Sequence, residues 1–133
     1  MRHLADKLLW LAVIGFLGTG VAFLVMPQPL ADLVDMPLNS PSARIDFLAT
    51  YGGLQSGIGV FLFICTRRKE RTRLGFVATG CAMGGFASGR LFGLLTTPAP
   101  KPIIYMYLAL EVMTTAVAFW LARIAALTER RPD

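Results

Sequence analysis

Arg90 and Glu111 are the residues whose types and positions can do chemistry. Each is embedded in an apolar run, Arg90 in "MGGFASGRLFGLL" (83–95) and Glu111 in "YLALEVMTTAVAF" (107–119). A charge in hydrocarbon costs several kcal/mol unless it snorkels to the interface or meets a partner. Two opposite charges can cancel that cost by pairing. The pair then either locks helix register or forms the floor of a small polar pocket. Asp46 and Gln55 lie in a third apolar run, "IDFLATYGGLQSGIGVFLFIC" (45–65). Asp46 is a second possible partner for Arg90, and the hydroxyls of Tyr51 and Tyr107 can add contacts. Snorkelling of Arg90 without a partner is the remaining alternative.

Other chemistries find little support. The only histidine, His3, stands beside the N-terminus, and the two cysteines, Cys65 and Cys81, form no C-x-x-C pair. No metal site is expected, nor any cofactor, and both thiols are expected to be buried and free. Acid–base work by Glu111 is conceivable, but a neighbouring arginine would hold it ionised. The chain is therefore not expected to be an enzyme.

These side chains must be positioned by elements suited to a bilayer. The chain has 133 residues, 55% hydrophobic and 16% charged, against about 25% charged in an ordinary soluble domain. A bilayer core of about 30 Å takes about 20 apolar residues in helix. Four runs qualify, 8–26, 45–65, 74–95 and 103–123, with prolines at 27, 29, 98, 100 and 102 punctuating them. The fold class expected is all-α: a single domain over 1–133, a four-helix transmembrane bundle, up-down-up-down. The first run is longer than a signal-peptide core and has no clear A-x-A site after it, so it is expected to be retained. In the first loop, "PLADLVDM" suits either a short interfacial helix or an ordered loop.

The net charge of +5 suggests topology rather than nucleic acid. Arg2, Lys7, Arg67, Arg68, Lys69, Arg71, Arg73, Arg123, Arg130 and Arg131 fall on one side of four spans, and only Arg44 and Lys101 on the other. The positive-inside rule makes both termini and the "RRKERTR" loop cytoplasmic. Trp10 and Trp120 then mark one interface, Tyr105 and Tyr107 the other. On this reading Arg90 lies roughly 7–8 Å below the outer end of its helix and Glu111 roughly 12 Å down the returning one. The two are matched in depth.

Lipid tails solvate leucine as well as leucine does, so helices associate in a bilayer through small residues that let backbones approach. Gly53/Gly57 and Gly80/Gly84 are G-x-x-x-G pairs, and Gly85, Gly89 and Gly93 form a further stripe. All seven are expected to be helix-packing positions, with the third span flanked on two sides. In the first span Gly15, Gly18, Thr19 and Ala22 form a comparable stripe. In the fourth, Tyr107, Glu111, Thr114, Thr115, Ala118 and Ala122 share the face turned to the bundle.

Tyr51-Gly52-Gly53 opening one span, Gly89-Arg90 near the end of the next and Glu111 in the last form a pattern. Over residues 45–120 the chain resembles a family of small bacterial integral membrane proteins catalogued as a domain of unknown function. It is more loosely similar to DoxX-like four-helix membrane proteins. The resemblance implies a four-helix fold and a bacterial inner membrane, and no activity. The function expected is an accessory or assembly role, alone or in a larger membrane complex or homo-oligomer, or binding of a lipid or other small amphipathic ligand from the surrounding bilayer. Arg90, Glu111, Tyr107, Tyr51, Asp46 and Gln55 are the candidate binding residues. A small transporter or carrier using the Arg90/Glu111 pair is the alternative, although the first span lacks the essential Glu of small multidrug transporters.

Overall fold

The computed structural model describes residues 2–98 and 100–129. Every element among them is helical. Helix α1 spans Arg2–Val25 and α2 Pro27–Asp32. Helix α3 (Pro41–Phe47) runs through a π-helical stretch, Leu48–Leu54, directly into α4 (Gln55–Thr66). A 3₁₀ turn at Lys69–Arg71 leads to α5 (Thr72–Thr96), and α6 covers Pro102–Glu129. Arg130 and Arg131, which the charge argument uses, lie outside the described residues.

Proline sets most of the boundaries. Pro27, Pro41 and Pro102 each open a helix, where the missing N–H costs nothing and the fixed φ is already helical. Ser40 caps α3, its Oγ accepting from the Ala43 N–H at 3.1 Å. Thr97 is extended ahead of Pro98 and stops α5, as a residue preceding proline does. The first loop is helical over α2. It then turns through Asp35, which adopts φ 55°.

Among the described residues three segments are long and apolar enough to cross a membrane, Leu4–Val25, Pro41–Thr66 and Pro102–Leu127. Helix α5, expected as the span 74–95, is equally long but less apolar. Its glycines, threonines and Ser88, with Arg73 and Arg90, dilute the run.

The long helices associate as two close pairs, α1 with the α3–α4 rod and α5 with α6. A cluster of Leu9, Val13, Phe16, Leu62, Phe76 and Leu121 joins the pairs. It lies toward the end that carries the 67–71 turn. At the opposite end, Lys101 Nζ reaches Asp35 Oδ1 at 2.6 Å and the Asp32 carbonyl at 3.1 Å. That contact ties the 97–101 connection to the first loop.

Small residues do create the pairing surfaces, but partly at other positions than expected. A Cβ on Gly20 would stand 2.5 Å from Ser56 Oγ and 2.6 Å from the Ser56 backbone nitrogen. One on Gly59 would stand 2.8 Å from the Leu17 nitrogen, and one on Gly52 would strike Leu24. The α1/α4 seam is thus Gly20 against Gly52, Ser56 and Gly59, whereas Gly53 and Gly57 face outward with no side chain near them. Gly52, Ser56 and Gly59 form one stripe at helical spacing and Gly53/Gly57 the stripe beside it, and the placement of α1 decides which of the two is the seam. On α5, Gly80 packs against the Phe119 ring at 3.0 Å and Gly84 against Thr115 at 3.4 Å, as expected of an interface. Gly85, Gly89 and Gly93 meet nothing within 4 Å; α5 finds its second set of neighbours nearer its start, where Gly75 meets Leu9 and Cys65 and Phe76 joins the core cluster. The α1 stripe is likewise displaced: Leu9, Val13, Phe16 and Gly20 are buried, while Gly15, Gly18 and Thr19 are exposed. Cys65 is buried as expected, but Cys81 is exposed, on the outward side of α5.

Candidate functional site

Joined at one end and paired two by two, the helices leave a cavity between the pairs. Its volume is about 1030 Å³, at the upper end of the range of roughly 300–1,000 Å³ for small-molecule sites. On α1 its wall runs from Leu8 to Phe23, a rise of about 22 Å. Gly15, Gly85 and Gly89 line it. Their missing side chains therefore make room rather than contact.

Arg90 and Glu111 meet in the wall of this cavity. Arg90 Nε donates to Glu111 Oε2 at 2.9 Å and Oε1 at 3.1 Å, and Nη2 donates to Oε1 at 2.7 Å. This is a forked, charge-assisted pair, the strong geometry for guanidinium and carboxylate. The Arg90 guanidinium also lies over the Tyr107 ring, 5.3 Å from its centroid. The Glu111 side chain is 8% exposed and that of Arg90 24%. The carboxylate is thus the buried partner and the guanidinium the one that reaches the open space. Helix α6 presents Glu111 on the same buried face as Ala118 and Ala122, the face expected from spacing. Thr115 Oγ1 donates to the Glu111 carbonyl at 2.7 Å.

Two more of the candidate residues face Arg90 and Glu111 across the cavity. Tyr51 occupies the middle of the π-helical stretch, stacked on Phe47 at 4.8 Å and tilted against Phe23 at 5.6 Å. Gln55 Oε1 accepts from Thr19 Oγ1 at 2.6 Å. π turns recur at functional sites because the widened turn re-aims side chains. Here the turn places Tyr51 and Gln55 on the cavity wall. Asp46 is different: it is exposed and contributes nothing to the cavity. It sits one helical step from buried Phe47, and that step turns its carboxylate away from Arg90.

Arg90 also lines a second, smaller cavity of about 360 Å³, beneath the Lys101–Asp35 tether. It therefore stands where the long apolar chamber meets a vestibule that carries Asp35 and Lys101. Sequence reasoning missed Thr19 as a polar wall residue and Gly15 as a lining one. Their spacing suits a packing stripe, and no residue-type signal separates a small residue that admits a helix from one that leaves a void.

No curated protein and no solved structure matches the chain. A family model does match, that of a domain of unknown function, DUF4345, over residues 4–122. The likeness thus extends across the first span and its loop, beyond the 45–120 segment whose motifs are most distinctive. The polar residues that meet in the cavity wall all lie within the matched region, and the chain belongs to the DUF4345 family.

Proposed function

We propose that the protein is a four-helix integral membrane protein that binds a single small amphiphile between its two helix pairs. The observation that carries this reading is the cavity itself: apolar over most of its wall, with the Arg90–Glu111 pair, Tyr51 and Gln55 on it. An apolar tail lies along Leu8, Phe16, Met113 and Leu121, and a polar head reaches Arg90. Helix α5 crosses the bilayer with the other three long helices, its polar residues turned to the cavity and to α6. The termini and the 67–71 turn are cytoplasmic, by the distribution of Lys and Arg, in a bacterial inner membrane. Arg90 then lies in the outer half of the bilayer. A carrier or transporter would use the same groups.

A second reading draws on a separate observation. Gly53 and Gly57 form an outward-facing G-x-x-x-G with open space before it. A helix of another subunit can approach closely there, which suits an accessory role in a larger complex or a homo-oligomer. The test is to extract the protein in mild detergent and analyse the organic extract of the purified sample. A co-purifying amphiphile near one per chain supports binding. A preparation free of any such compound, with the protein held in a larger complex, supports the accessory role instead.

A further inference from the structure

We infer that the head group taken by this cavity is uncharged and accepts hydrogen bonds, as an ester, amide or ketone does, rather than a phosphate or an ammonium. The inference rests on the binding reading above and specifies its ligand class. It follows from the charge balance of the cavity wall.

Among the described residues, Arg90 and Glu111 are the only charged side chains on the wall of the large cavity. They neutralise each other through two carboxylate oxygens and two guanidinium nitrogens. An anionic head would enter a wall of zero net charge. It would have to give up its hydration there or pull the guanidinium from Glu111, leaving a carboxylate that is 8% exposed without a partner. Either course carries the penalty of an uncompensated buried charge. A cationic head meets the same balance with the sign reversed. The next cation along the path, Lys101, is itself held by Asp35 at 2.6 Å, so the vestibule adds no net charge.

What remains uncommitted is a set of neutral-site donors. Arg90 Nη1 makes no hydrogen bond among the described residues, since the contacts to Glu111 use Nε and Nη2. The Gln55 amide meets only Thr19 among the described residues, so at least one of its N–H groups is unspent. The Tyr51 hydroxyl is a third donor on the same wall. Carbonyl oxygens satisfy such donors without importing charge. Glu111 thereby acts as a specificity device: it discharges the arginine and excludes anions, which would otherwise be the natural ligands of a guanidinium.

The test uses the full chain in amphipol and three amphiphiles with the same C16 tail: 1-palmitoylglycerol, hexadecyl phosphate and hexadecyltrimethylammonium. Competition against radiolabelled 1-palmitoylglycerol gives the three affinities. The neutral head should bind at least tenfold more tightly than either ion. Glu111→Gln, which uncovers the arginine charge, should strengthen hexadecyl phosphate binding at least tenfold. Wild-type protein that takes the phosphate or the ammonium as tightly as the neutral head overturns the head-group assignment while leaving the cavity as a binding site. Absence of saturable binding by all three overturns the binding reading and this inference with it. The wild-type comparison stands even where Glu111→Gln fails to fold.

Discussion

Separating Arg90 from Glu111 should be among the most destructive single changes available to this protein. Arg90→Met leaves a carboxylate that is 8% exposed with no other side-chain partner among the described residues. Breaking a buried pair in this way costs about 3–5 kcal/mol, or roughly two to three and a half orders of magnitude in the folding equilibrium. Glu111→Leu should cost less. The orphaned guanidinium is the more open of the two and keeps the Tyr107 ring 5.3 Å away, a contact contributing about 0.5–2 kcal/mol. The double variant Arg90→Met/Glu111→Leu removes both charges and leaves apolar side chains in their place. It should return to within about 1 kcal/mol of the parent, because replacing a buried pair with apolar groups is often neutral. The assay is reversible unfolding in mixed micelles, read for the parent, both single variants and the double. Losses that simply add in the double variant would refute the reasoning, since the two charges would then act independently.

The glycines give a second contrast. Gly20→Ala places a Cβ 2.6 Å from the Ser56 backbone and should destabilise by about 1–3 kcal/mol, whereas Gly89→Ala meets open space and should be neutral or stabilising by up to about 1 kcal/mol; thermal unfolding of the two variants distinguishes them. Single cysteines at Asn39 and Lys101 should label from outside intact cells and one at Thr72 should not, and the reverse pattern would invert the orientation. Lys101→Ala removes an exposed pair and should change global stability by less than about 1 kcal/mol, while raising hydrogen exchange in residues 27–36, where its contacts to Asp32 and Asp35 restrain the first loop.

Much of the site was legible before the structure, for physical reasons that can be named. Arg90 and Glu111 could be paired because hydrocarbon punishes a lone charge and their depths on antiparallel helices agree. Gly80 and Gly84 could be read as packing positions because α5 is a regular helix over that stretch, although their spacing did not say that α6 is the partner. Asp46 could not be excluded by depth, since it occupies the same end of the fold as Arg90. Only the rotation of α3, which buries Phe47, turns it away. Gly53/Gly57 lies one position round the helix from the stripe Gly52, Ser56 and Gly59 that meets α1, and the small residues of two adjacent stripes do not by themselves say which one a neighbour covers. The failure at Gly85 and Gly89 has a different origin. A glycine permits close approach and an empty volume equally well, and only the placement of α1 shows that the space beside them is left open.

The central claim, that an amphiphile occupies the space these glycines leave, is tested most directly by native mass spectrometry of the parent and of Gly89→Phe. The substituted ring would project into the cavity, where nothing lies within 4 Å of a Cβ, so the variant should fold. The parent should carry one bound amphiphile whose mass fits a single-tailed neutral compound, and Gly89→Phe should carry none. Equal occupancy in the two proteins, or no bound species in the parent, would contradict the account.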